Sequence, residues 1–150
     1  MYNLDTVLER IKSNGDIEKI YTLGKTIIST DKKVKAIYLL TSHENRPRIK
    51  YAVTLSSKTG NSVWRNRFKR LIRESIRVEA DLLRKIIFQA KSDLSIIFSP
   101  GLIIQNNSRR IFLNDTKPSV LDILYKLREI LEKEQKVITT TQTELQIDTR

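Results

Sequence analysis

Residues 58–77, KTGNSVWRNRFKRLIRESIR, join a helix start, a basic face and an apolar face in one segment. Lys58, Arg65, Arg67, Lys69, Arg70, Arg73 and Arg77 stand against a single acid, Glu74. On a helix of ~3.6 residues per turn, Arg65, Lys69, Arg73 and Arg77 follow at i, i+4, with Asn66 and Arg70 beside them. Like charges at that spacing cost about 0.2–0.5 kcal/mol per pair, so an external anion stabilises the face. Val63, Trp64, Phe68, Leu71, Ile72, Ser75 and Ile76 fall on the other side, where they suit packing against a sheet or helix. A guanidinium is planar, holds two oxygens at once and keeps its charge near neutral pH, which makes nucleic-acid phosphate the expected anion.

The whole chain leans the same way. Its 150 residues suit one domain with a modest core, and its formal charge of +11 and pI of about 10.0 favour an anionic partner. No run reaches the ~20 apolar residues that span a bilayer. The start, MYNLDTVLERIK, lacks the apolar centre of a signal peptide, so a cytoplasmic protein without a membrane partner is expected. Zero cysteines exclude disulfides and thiolate chemistry.

Outward from the basic helix, the elements read as an α+β domain. Ser13-Asn14-Gly15-Asp16 opens a helix over 14–23 that Gly24 closes, and Leu4 to Ile11 either forms an earlier turn or packs across the sheet. Thr26–Ser29 gives a short strand. Val34–Leu40 and Lys50–Leu55, separated by a polar loop with Pro47, read as an antiparallel hairpin. The basic helix ends between Glu79 and Ala90, and Leu94–Phe98, closed by Ser99-Pro100-Gly101, suits a central strand. Ser119 is placed to cap a last helix with Val120, Ile123, Leu124, Leu127 and Leu131 on one face. Residues 137–150, rich in threonine and lacking a hydrophobic period, read as a mobile tail to a domain over 1–136.

Protein-borne catalysis finds no support in these residues. His43, the sole histidine, lies in the polar Ser42-His43-Glu44-Asn45 loop without a nucleophile or orienting acid, and reads as a surface side chain. Glu79 and Asp81 do not share a helix face. No metal-ligand spacing, phosphate loop or triad emerges, so neither catalytic nor metal-binding residues are assigned.

The string Gly60-Asn61-Ser62-Val63-Trp64-Arg65-Asn66-Arg67-Phe68-Lys69-Arg70, followed by Leu71-Ile72-Arg73-Glu74, resembles the signature of the bacterial ribonuclease P protein component. That signature runs G-N-A-V-x-R-N-R-x-K-R-x-x-R-E. Ser62 departs from its alanine, and Ser57 from a lysine often found before Lys58. The resemblance spans roughly residues 4–135 and implies a sheet of about four strands with helices on one face. It also implies a left-handed βαβ crossover, as in domain 2 of ribosomal protein S5, against the usual right-handed rule. Residues 102–117 exceed the family's usual connection and read as an insertion, such as an extra hairpin.

The same resemblance implies a function. The RNA subunit of ribonuclease P would carry the active site, with magnesium held chiefly by that RNA, while the protein binds the RNA and the 5' leader of precursor tRNA. Lys58, Gly60, Asn61, Arg65, Asn66, Arg67, Lys69, Arg70 and Arg73 would face RNA. By motif position Ile17, Tyr21 and Tyr38 would border the leader cleft, Ile17 departing from the family's phenylalanine. The alternatives are a ribosomal-type structural RNA-binding protein without processing activity and a membrane-surface binder. Commitment of the basic helix's apolar face to the core argues against the latter.

Overall fold

The computed structural model describes residues 8–42, 48–79, 81–82, 84–85, 92–106 and 109–148. His43 and its loop lie outside the described residues. Strand β1 (Leu8–Arg10) precedes helix α1 (Asn14–Leu23), followed by β2 (Lys25–Ile28), β3 (Val34–Ser42) and β4 (Ile49–Val53). A 3₁₀ turn (Ser57–Thr59) leads into α2 (Ser62–Val78), then β5 (Ser92–Pro100) and α3 (Leu113–Asp148).

The sheet has five strands in the order β1-β4-β5-β3-β2, one more than the sequence suggests. The extra strand comes from the segment before α1, where Leu8, Glu9 and Arg10 pair in parallel with Ile49, Lys50 and Tyr51. The expected β3–β4 hairpin does not form. Strand β5 lies between the two, antiparallel to β3 and parallel to β4, so β4-α2-β5 is the crossover unit. Its apolar run explains the central place: Leu94, Ile96 and Phe98 are buried on one face and Ile97 on the other, and both edges find partners.

Helices cover both faces of the sheet, which corrects the expectation of one. Trp64, Phe68, Leu71, Ile72 and Ile76 of α2 pack with Val120, Ile123, Leu124, Leu127 and Leu131 of α3 over Val34, Ala36, Tyr38, Ile49, Leu94, Ile96 and Phe98. On the opposite face α1 brings Ile17 and Ile20 onto Ile37, Leu39, Ala52 and Ile97. Burying each such side chain contributes about 1.5–3 kcal/mol, so the larger layer carries most of the stability. Gly24 lets α1 turn straight into β2, because a Cβ there would lie 2.4 Å from the Ile20 carbonyl oxygen and 2.7 Å from Ile37 Cγ2.

Helix α3 starts earlier than its apolar pattern suggests. The Asp115 carboxylate reaches back to accept from the Phe112 N–H at 2.8 Å, one half of a capping box. Ser119 is therefore no cap; buried, it donates to Asp31 Oδ2 at 2.7 Å and ties α3 to the β2–β3 turn. Asp122 fastens the same turn, accepting from the Thr30 N–H at 2.7 Å and from the Thr30 hydroxyl at 3.0 Å. The α3 backbone stays helical to Asp148, through residues that read as a tail.

Candidate nucleic-acid interface

Helix α2 begins on a built cap. Asn61 Oδ1 accepts from the Trp64 N–H at 2.9 Å, and the Asn61 N–H donates to Gln105 Oε1 at 2.8 Å. Gln105 is held in turn, its own N–H donating to the Thr59 carbonyl at 2.8 Å. Gly60 allows this closeness, since a Cβ would sit 3.0 Å from both Gln105 and the Trp64 ring. Gln105 thus braces the helix start, and among the described residues of 102–117 no strand occurs, so the expected extra hairpin is not seen there. Trp64 is buried and stacks on Phe68 with centroids 5.7 Å apart, an anchor rather than a contact surface. Val63, by contrast, is exposed despite its apolar spacing.

The cations of α2 diverge. Arg67 turns toward the bracing segment, where its Nε donates to the Ile111 carbonyl at 2.6 Å and its guanidinium lies over the Phe112 ring. Arg73 folds back along the helix, its Nε donating to the Lys69 carbonyl at 3.3 Å. Asn66 and Arg70 are exposed, as is Lys58 in the preceding turn. Arg65 is half-buried, and its Nε–H is enclosed with no acceptor among the described residues. No carboxylate pairs with Arg65, Arg67, Lys69, Arg70, Arg73 or Arg77 among the described residues, and Glu74 makes no ion pair there either. The face carries concentrated positive charge that no carboxylate among the described residues neutralises.

A cleft of about 540 Å³ opens beside the helix start. Tyr21, Thr26, Lys35, Ile37, Thr54, Leu55, Ser56, Thr59, Ser99 and Pro100 line it. Tyr21 is 47% exposed, and its hydroxyl shares a 2.6 Å hydrogen bond with the Thr54 hydroxyl. Ile17 packs one turn earlier on α1, against the smaller core layer. Tyr38 does not join them: at 4% exposure it lies under α2 and α3, on the other face of the sheet. Strand parity is the reason, for Tyr38 shares its side with Val34 and Ala36, whereas Lys35 and Ile37 face the cleft. Motif position alone missed Lys35 and Thr26; counting by twos from Ile37 finds Lys35, and Thr26 is the cross-strand partner of Ile37.

A mixed sheet with an arginine face that no described carboxylate pairs, and with an adjoining cleft, defines a basic α+β RNA-binding module. A family model described as Ribonuclease P matches residues 7–114. The ribonuclease P protein component of Staphylococcus haemolyticus (strain JCSC1435) is 33% identical over 84 residues, covering 55% of this chain and 69% of that protein. That of Staphylococcus carnosus (strain TM300) is 38% identical over 84 residues, covering 55% and 70%. The chain belongs to the bacterial ribonuclease P protein family, whose members are RNA-binding subunits of a tRNA-processing ribonucleoprotein endoribonuclease. Solved structures agree on the fold: the RNase P protein from Thermotoga maritima superposes with a TM-score of 0.60 at 17% identity over 79% of this chain and 96% of that one. The Staphylococcus aureus RNase P protein gives 0.55 at 22% identity over 77% and 92%.

Proposed function

We propose that this protein binds the catalytic RNA of ribonuclease P through the α2 face and holds the 5' leader of precursor tRNA in the cleft beside α1. The observation that carries this reading is the set of unpaired cations on α2 next to that cleft. Arg65, Asn66, Lys69, Arg70 and Arg73, with Lys58 and the Gly60-Asn61 helix start, supply phosphate contacts. Trp64 N–H is capped and Asn61 N–H is taken, while the N–H groups of Ser62 and Val63 point along the helix end without a protein acceptor among the described residues. Arg67 serves chiefly to hold the bracing segment. In the cleft, Tyr21 offers a face on which a base can stack, worth about 1–3 kcal/mol in single-strand binding.

The cleavage chemistry falls to the RNA partner in this reading. Among the described residues no three His, Cys, Asp or Glu side chains gather where an ion could sit. Magnesium is assigned to the RNA, where two ions would stabilise attacking and leaving oxygens. The protein's part is to lower repulsion between RNA strands and to fix the leader. No described helix is long and apolar enough to cross a membrane, and we place the work in the cytoplasm. Reconstitution with the host's ribonuclease P RNA provides the test: the protein should permit precursor cleavage at lower magnesium than the RNA alone. An unchanged magnesium requirement across a protein titration would overturn the proposal.

A further inference from the structure

A second, smaller hollow shares Thr54 with the cleft. It holds about 110 Å³ and is lined by Arg10, Ile11, Ile17, Thr54, Lys69 and Arg73 among others. Two elements distant in sequence bring three cations there: Arg10 ends β1, while Lys69 and Arg73 are one turn apart on α2. No carboxylate pairs with any of the three among the described residues. The Arg73 Nε bond to the Lys69 backbone carbonyl folds the Arg73 side chain back along the helix toward Lys69. Thr54 lines both this notch and the cleft, with Tyr21 hydrogen-bonded to it, so the two hollows adjoin at Thr54.

We infer that the Arg10–Lys69–Arg73 notch is a phosphodiester site that grips the leader strand where it passes from the cleft toward α2. Three cations with no carboxylate partner among the described residues, gathered around one small hollow, repel one another and are relieved by an oxyanion between them; an arginine and a lysine from separate elements can reach different oxygens of one phosphate. The apolar floor of Ile11 and Ile17 suits the adjoining sugar rather than a second charge. Arg10 is the new participant, contributed by a strand outside the α2 signature. The inference rests on the leader-binding reading above and adds where the strand's backbone is held.

The reconstituted holoenzyme tests it, using precursor tRNA with a long leader, precursor with a single leader nucleotide, and mature tRNA. Arg10→Ala should weaken binding of the long-leader precursor severalfold and flatten the slope of log affinity against log salt by about 0.7, the loss of one single-strand phosphate contact. Arg10→Lys should restore the slope, and single-nucleotide precursor and mature tRNA should be unaffected. Equal loss for all three substrates would mean that the phosphate belongs to the RNA subunit, and no loss with any of them would mean that no phosphate is held; either result overturns the notch. Failure of the leader-binding reading looks different, because the unsubstituted holoenzyme would then bind precursor and mature tRNA alike.

Discussion

Replacing Asn61 separates stability from RNA binding at one position. Asn61→Ala removes the 2.9 Å bond to the Trp64 N–H while leaving the backbone bond to Gln105 in place. Losing such a cap costs about 1 kcal/mol, within a range of roughly 0.5–2. For a chain of this size that lowers the melting temperature by about 2–4 °C. Asn61→Asp retains an acceptor and places a negative charge at the positive end of the α2 dipole, a gain of about 0.3–1 kcal/mol. The same charge faces the RNA, and repulsion from a phosphate some 4 Å away is worth about 1 kcal/mol in water, a roughly fivefold loss of affinity. Thermal melts followed by circular dichroism, alongside filter binding to ribonuclease P RNA, give both numbers. The aspartate variant should melt at or above the parent yet bind RNA more weakly, and the alanine variant should melt lower while binding RNA nearly as the parent does. An aspartate variant that melts below the alanine one, or that binds RNA like the parent, would refute the assignment of this helix end.

Further outcomes follow from the same contacts. Tyr21→Leu should weaken precursor tRNA binding and spare mature tRNA, whereas Tyr38→Leu should destabilise the fold by roughly 0.5–3 kcal/mol and affect both RNAs together, as measured by paired binding titrations and melts. Replacing Arg65, Lys69 and Arg73 together by alanine should flatten the salt dependence of RNA binding by roughly one unit of slope per lost contact; normal RNA binding by a readily unfolded variant would show the strip to be structural instead. Burial pushes the Asp31 carboxyl up, but bonds from Ser29, Ser119 and the Lys33 N–H, with the Lys33 charge, outweigh it and hold the group below its ordinary 3.8. Asp122 is likewise lowered, burial again being overcome by Thr30 and Lys126. Because both folded values are depressed, their stabilisation is complete above 3.8 and is lost as pH falls through the lowered values. In acid titration, Asp31→Asn combined with Asp122→Asn should flatten the decline in that window, and a parallel curve would exclude the two groups as its source.

The sequence was most legible where one segment answered to one pattern. The α2 residues Phe68, Leu71, Ile72, Ser75 and Ile76 keep helical spacing and are all buried, and Ser13 and Gly24 bound α1 as their chemistry requires. Pairing was harder to see, because β3 and β4 are neighbours along the chain but strand β5 can satisfy both their edges and bury both its own faces. The two faces of β3 are both largely apolar, so alternation alone left the side of Tyr38 undecided. At α3 the early start hangs on Asp115 reaching Phe112, a local bond hidden among polar residues. The candidate site divides similarly: the arginines were plain in the α2 motif, but Arg10 reaches the notch only through the parallel register of β1 with β4, which no short window of sequence reveals.

The central place of β5 sets the order in which the ribosome can deliver a working molecule. Strands β3 and β4 emerge first with a gap between them that only residues 92–100 can fill. Helix α2 emerges inside the same interval, and its apolar side has no complete layer to rest on until β5 and then α3 arrive. A lone helix of this length is marginal in water, the more so with its cations crowded together. Contacts across such long stretches of chain form late. The layer that supports α2 and orients its cations is therefore completed only when most of the chain has been made.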